Sequence, residues 1–301
     1  MRLFDNLNFD YVGSRKVAYV VSGGLVLISI ASLLFLGLEV GIDFKGGSEY
    51  VVETRENLDV TVVRSQLAAD LNSSPEVKTY GPRTLLVRTV ETGEEDEVRN
   101  TILASFEANY PDQSATILKG YGVGPRFAQD LKRGAIYSII GSLFVIFAYI
   151  MLRFEWRFSV GAVAALFHDV VVTLGIFSLL HGIMPFSLQI DQTIIAAFLT
   201  IVGYSINDTV VIFDRIREYN TIFKTQPFGE IINRATNRTM SRTIITSGTT
   251  LLVVGVLFIF GGDVLRGFTF AIALGIILGS YSTIFVASPI VLELRNRFPV
   301  K

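Results

Sequence analysis

A helix that crosses the hydrocarbon of a bilayer needs roughly 20 mostly apolar residues, and this chain offers six such stretches. They are Val17–Leu38, Gly134–Leu152, Phe158–Leu180, Leu188–Phe213, Thr243–Phe260 and Leu265–Leu292. Each predicts a transmembrane α-helix, and the last is long enough to tilt or to run on along the interface. Arg15 and Lys16 precede the first stretch as basic residues precede a signal sequence. That stretch is about 22 residues long and lacks a small-residue cleavage pattern, so it reads as a retained anchor. Composition agrees: 18% of residues are charged, against about 25% in a soluble domain. A net charge of −1 exerts no pull on nucleic acid. Cysteine is absent, which excludes disulfides and thiolate metal sites, and His168 and His181 alone argue against a multi-histidine site.

Lys and Arg in the connections set the orientation. They occur in the N-terminal tail (Arg2, Arg15, Lys16), between the second and third stretches (Arg153, Arg157), between the fourth and fifth (Arg215, Arg217, Lys224, Arg234, Arg238, Arg242), and in the C-terminal tail (Arg295, Arg297, Lys301). The loop His181–Ser187 has none, and Gly261–Val264 leads only to Arg266. Both termini are therefore expected in the cytoplasm. The chain divides into a tail and first helix (1–38), an extracytoplasmic domain (39–133) and a five-helix bundle (134–301) with a cytoplasmic loop over 214–242.

The outer segment reads as a small α+β domain. Ser48–Thr54 alternates as a strand does. Val60–Leu71 has helical spacing through Val63, Leu67 and Leu71, with Asp59 as N-cap. Val77–Tyr80 and Thr84–Thr89 read as strands joined at Gly81-Pro82, Glu94–Asn109 as a second helix and Ala115–Gly120 as the last strand. Strand–helix–strand–strand–helix–strand is the ferredoxin-like order.

A charge in the hydrocarbon costs roughly 2.5–3.5 kcal/mol on insertion scales, so each one needs a reason. The third stretch holds His168 and Asp169, roughly 16 Å from its inner end. The fourth holds Asn207 and Asp208, roughly 9 Å from its inner end, and Arg242 opens the fifth. Thr200, Tyr204 and Asp208 share one helical face, as do Arg242, Thr246, Thr249 and Thr250, and as do Asp169 and Thr173. Facing stripes would enclose a small hydrated cavity or a buried ion pair. An aspartate beside an arginine in a dry site can switch between charged and neutral forms, which suits proton movement; Asp208 as a structural partner of Arg242 is the alternative. Asp169 suits a relay or a packing hydrogen bond equally, and His168 suits a helix–helix hydrogen bond. Gln189 and Asp191 stand at the outer mouth of the fourth stretch, in a wet position or a proton entry.

Gly267, Ala271, Gly275 and Gly279 recur every four residues and let another helix approach closely. Phe228–Met240 is amphipathic and is expected to lie along the inner surface before the fifth stretch begins. No phosphate-cradling Gly-x-x-x-x-Gly-Lys-Ser/Thr is present, so ATP is not the expected energy source. Gly203-Tyr204-Ser205-Ile206-Asn207-Asp208 does not match the Gly-x-Gly-Asp of intramembrane aspartyl proteases.

Four blocks carry a resemblance to a known family. They are Gly41-Ile42-Asp43-Phe44-Lys45-Gly46-Gly47; Phe154-Glu155-Trp156-Arg157-Phe158 followed by Leu166-Phe167-His168-Asp169-Val170; Gly203 through Glu218; and Asn237 through Ser247. In this order they resemble the SecF family of protein-export membrane subunits, within the resistance–nodulation–division superfamily. The resemblance implies a non-enzymatic, proton-coupled subunit without a cofactor, in the bacterial cytoplasmic membrane. SecD, the SecYEG channel and an unfolded secretory polypeptide would be its partners. It also implies proton-path roles for Asp208 and Arg242, with Asp169 secondary and Asn207, Tyr204 and Thr246 alongside. A proton-driven exporter of lipids or hydrophobic small molecules, or a non-energised translocon scaffold, are the competing readings. The charge rule makes its own prediction. A reporter that matures only outside the cytoplasm should be active when fused in the loop His181–Ser187 and silent after Lys301; the reverse pattern would overturn the orientation.

Overall fold

The computed structural model describes residues 8–73, 75–90, 95–184 and 186–299; Arg2, Glu94 and Lys301, used above, lie outside them. In chain order the elements are α1 (Arg15–Phe35), the short α2 (Ile42–Lys45), β1 (Gly47–Glu53), α3 (Val60–Asp70), β2 (Glu76–Gly81), β3 (Thr84–Thr89), α4 (Glu95–Asn109) and β4 (Thr116–Val123). There follow α5 (Pro125–Arg153), α6 (Trp156–Leu180), α7 (Gln192–Ile222), α8 (Phe228–Phe260), α9 (Asp263–Ser282), a π-helical turn (Thr283–Ala287) and α10 (Ser288–Arg297). Among the described residues six helical stretches are long and apolar enough to cross a membrane: α1, α5, α6, α7, α8 and Leu265–Arg297. The chain forms two compact units. One comprises the described parts of Met1–Glu39, Ile139–Leu188 and Thr193–Lys301; the other comprises those of Val40–Ser138 with Gln189–Gln192.

In the helical unit, close approach depends on small residues. A Cβ on Gly175 of α6 would lie 2.5 Å from the Cα of Ser29, so α1 and α6 touch through backbone there. Ser32 of α1 donates to Ser178 of α6 at 2.7 Å. The glycine stripe of α9 meets α7: a Cβ on Gly275 would strike the Ile201 side chain, and one on Gly279 would come within 2.9 Å of Ser205. At one end of the bundle the Phe213 ring meets those of Phe154 and Phe158 edge to face, at 5.0 Å between the rings of Phe158 and Phe213.

The expected surface helix over Phe228–Met240 is not separate. It is the first part of α8, which runs unbroken for 33 residues. No proline or glycine interrupts Glu230–Ser247, and Ile231, Ile232 and Ala235 pack into the protein core instead of facing lipid headgroups. α5 begins nine residues before the expected Gly134, with Pro125 at its first position, where a missing N–H costs nothing. α7 begins at Gln192 instead of Leu188 and continues to Ile222. The π turn precedes Pro289, which has no N–H and cannot close a regular α-helical bond.

The second unit is built on an antiparallel sheet in the order β2-β3-β1-β4, with Tyr50 opposite Val87 on one side and Gly120 on the other. Its core joins Tyr50, Val52, Val77 and Val87 to Val63 and Leu67 of α3 and to Ile102 and Phe106 of α4. Asp59 caps α3, accepting from the Thr61 amide at 2.7 Å. Gly47 opens β1 at φ +123°, where a Cβ would collide with the Thr89 carbonyl. The alternate strand positions carry charge: Arg88 donates to Glu49 at 2.5 Å and pairs with Glu76, which also meets Lys78. Burial pushes the Glu76 carboxyl up, but Lys78, Gln189 and Arg88 outweigh it and hold it below the usual carboxylate range. Gln189 is buried on this cluster, bonded to Arg88 and, at 2.7 Å, to Glu76. It is therefore an enclosed structural link and not the wet position expected. Beside it the Gly41 amide donates to the Ile190 carbonyl at 2.9 Å, and the Gln192 amide donates to Asp43 at 3.0 Å.

The contact at Gly175 makes a prediction. Gly175→Ala should destabilise the protein by about 1–3 kcal/mol through overpacking. Gly23→Ala, where a Cβ meets nothing within 4 Å, should be close to neutral. Unfolding midpoints in detergent would distinguish the two.

Candidate functional site

Asp169 is 1% exposed, inside α6, and its carboxylate joins three helices. Oδ2 accepts from Ser205 of α7 at 2.7 Å and from Ser282 at the end of α9 at 2.8 Å. Oδ1 faces Nδ1 of His168 at 3.0 Å, and Thr173 donates to the Asp169 carbonyl at 2.7 Å. One turn on, Thr209 of α7 meets Thr283 at 2.7 Å. A charged or strongly polar group has no water to turn to in a bilayer, so it must be satisfied by protein; here two serines from neighbouring helices do so. His168 does not reach another helix through its ring nitrogens: its Nε2 is buried without a partner, and its ring lies 5.9 Å from that of Tyr281. Tyr281 in turn meets Ser22 of α1 at 2.9 Å.

Asp208 is 5% exposed and one of its oxygens, Oδ2, is buried with no hydrogen-bond partner. Arg242 acts on it electrostatically, yet among the described residues no ion pair within 4 Å joins them. The Arg242 side chain is exposed at the surface of this chain, as are Asn207 and Thr249. Tyr204, one turn from Asp208, donates to Thr250 of α8 at 3.3 Å. Thr246 does not reach α7, because its hydroxyl is held by the carbonyls of its own helix at Arg242, 2.9 Å, and Thr243, 3.1 Å. Of the expected residues the fold thus gathers Asp169 with α7 and α9, and Tyr204 with α8. It leaves Asp208 unbonded and Arg242 outward-facing.

Ser205, Ser282 and Thr283 complete the network and were not singled out in the sequence. Adjacent hydroxyls at Ser282-Thr283, followed by Ser288, inside an otherwise apolar span were the available signal. Among the described residues no group of three or more His, Asp or Glu side chains is placed to hold a metal ion.

Six apolar helices around buried carboxylates, with a small sheet-bearing unit after the first, define a multi-pass membrane protein that keeps charge inside its bundle. Comparison with known proteins narrows this. The sequence model for "Protein export membrane protein SecD/SecF, C-terminal" matches residues 103–297. The chain belongs to the SecD/SecF family of protein-export membrane proteins. It is 61% identical to protein translocase subunit SecF of Rhodothermus marinus, over 99% of this chain and 96% of that one. It is 35% identical to protein translocase subunit SecDF of Thermus thermophilus, over 96% of this chain but 39% of that longer one. The crystal structure of SecDF from the same genus superposes with a TM-score of 0.88 at 34% identity, covering 99% of this chain and 40% of the other. SecDF in a super-membrane-facing form gives 0.72.

Replacing Asp169 tests the network. Asp169→Leu, which strands the buried Ser205 hydroxyl and leaves that of Ser282 only the Gly279 carbonyl at 3.3 Å, should cost about 1–3 kcal/mol. Ser205→Ala, which removes one of two donors, should cost only about 0.6 kcal/mol, the mean for hydrogen bonds between membrane helices. Denaturant titration in mixed micelles would read both.

Proposed function

We propose that the protein is a Sec translocase subunit that works beside a SecD partner and uses the proton gradient to promote late translocation and release of exported polypeptides. The observation that carries the proton role is Asp208: a carboxyl group nearly enclosed in a membrane helix, with one oxygen free of hydrogen bonds. That oxygen can take and give a proton without breaking a bond. Arg242, near enough to act on it but unpaired with it, supplies a charge whose approach or retreat would differ between the two protonation states. Such a local charge change can bias a larger rearrangement. Asn207 and Tyr204 would line the route from α7, Thr246 would do so from α8, and Asp169 would hold α7 and α9 in register.

A partner of similar span number is supported by what the bundle leaves uncovered. Only 6% of the apolar window of α5 and 17% of that of α8 is buried. Asn207, Thr249 and Arg242 are exposed on α7 and α8, and lipid would be a poor neighbour for them. A second six-span protein, as in transporters made of two related halves, would cover them, and the single-chain SecDF relatives support SecD in that place. The charge bias of the connections supports cytoplasmic termini in the inner membrane. On that reading the sheet unit would be extracytoplasmic; its β2-β3-β1-β4 order supports a ferredoxin-like domain, which would be available to an unfolded chain leaving SecYEG.

The test is release of a completed secreted protein from spheroplasts that carry the chain with its SecD partner. Release should require the gradient and fall at least tenfold in Asp208→Asn. If Asp208→Asn releases normally under the gradient, Asp208 is structural; if release is also indifferent to the gradient, the non-energised scaffold reading replaces this one.

A further inference from the structure

We infer that the helix ends around Glu155 form a binding site for the phosphate of an anionic phospholipid. Five elements converge at one end of the bundle: the C-terminus of α5, the N-terminus of α6, the last turns of α7, the start of α8 and the end of α10. Between them lies a cavity of about 370 Å³ lined by Arg153, Phe154, Glu155, Arg217, Phe228 and Arg295. Arg157 adjoins it through Glu155, to which it donates at 2.9 Å.

The charges there do not balance. Arg153 is paired with Asp214 at 2.8 Å and Arg157 with Glu155. Arg217 and Arg295 have no ion-pair partner among the described residues. Four guanidinium groups thus meet two carboxylates, an excess of two positive charges. Arg295 is packed with its guanidinium 3.9 Å above the Phe228 ring, and Glu155 acts on it electrostatically without an ion pair within 4 Å. Arg157, 9% exposed, keeps a buried Nε without a partner. The N-terminus of α6 opens here with no side-chain cap, so its dipole adds to the attraction for an anion. Guanidinium forks match phosphate oxygens, and basic pockets between membrane helices hold lipid headgroups.

The rim separates a lipid from a free phosphate. Leu152 is 89% exposed and Phe144, two turns back on α5, is 70% exposed, while Trp156, the first residue of α6, is 42% exposed. An apolar wall rising from the cavity along a membrane helix suits acyl chains, and a tryptophan suits the interface. A soluble phosphate would use neither.

The experiment is native mass spectrometry of the full chain released from detergent, titrated with phosphatidylglycerol, phosphatidylcholine or inorganic phosphate. Phosphatidylglycerol should be retained, and the double variant Arg217→Gln/Arg295→Gln should weaken it about tenfold or more, at roughly a kcal/mol per arginine. Arg217→Gln alone, at an exposed position that cannot disturb the Phe228 contact, should weaken it by a smaller factor. Arg234→Gln, on α8 but outside the cavity, should bind as the parent does. Equal binding of phosphatidylcholine, equal loss in Arg234→Gln or undiminished binding in the double variant would each overturn the site. Competition by inorganic phosphate at lipid-like concentration would overturn the lipid assignment.

Discussion

The Asp169 carboxylate is the interaction on which the helical unit depends. Lipid tails are as apolar as leucine, so membrane helices gain little by hiding apolar surface from one another; packing and interhelical hydrogen bonds decide their arrangement. Asp169 on α6 takes hydrogen bonds from Ser205 on α7 and Ser282 on α9, so two crossings are tied by one side chain. Those serines can reach it because small residues let the backbones come close. Gly279 meets Ser205, and Gly275 leaves room for Ile201 one turn away. The glycine stripe and the carboxylate are therefore one device, since a bulkier stripe would carry Ser205 out of range.

The π turn at Thr283–Ala287 belongs to the same place. In the widened turn ahead of Pro289 the Thr283 carbonyl accepts both the Ser288 amide and, at 3.0 Å, the Ser288 hydroxyl. Thr283 is then turned toward Thr209 of α7. Asp208, next to Thr209 in sequence, thus sits on a helix pinned by neighbours on both sides of it, Ser205 and Thr209, while its own carboxyl is left with an unbonded oxygen. Rigid surroundings around one unsatisfied group are what a site needs if that group is to change state without the helix drifting.

Much of this was legible in the chain, and the reasons are physical. Six spans follow from the length of apolar runs, because bilayer thickness leaves no other solution. Asp169 and Asp208 stood out because charge in hydrocarbon is costly. What pairs with Asp169 was not legible: serines are ordinary in membrane helices, and a two-residue offset between spans decides which of them meets a carboxylate. The stripe expected on α8 meets α7 through Thr250 alone among its threonines, for a related reason. Thr246 and Thr249 satisfy themselves on carbonyls of their own turn, so a threonine stripe does not need a polar neighbour. Phe228–Met240 looked like a surface helix because amphipathicity reports one apolar face without saying whether lipid or protein covers it. Gln189 looked wet because a loop glutamine usually is, and only the strand register brings Arg88 and Glu76 beneath it.

The clasp at Gln189 also bears on how such a chain can be cut and rearranged. Residues 40–138 look like a cassette spliced between two membrane helices. Yet Gln189–Gln192, from a loop far downstream, belongs to the same compact unit through Ile190, Gln189 and the amide of Gln192. The sheet unit is consequently not modular: it needs a piece of sequence that only the rest of the protein can deliver. Excising it would leave a stranded tetrapeptide, and transplanting it would expose the Glu49–Arg88–Glu76 cluster. Evolution could lengthen or shorten this unit at its turns, but could not readily exchange it for another.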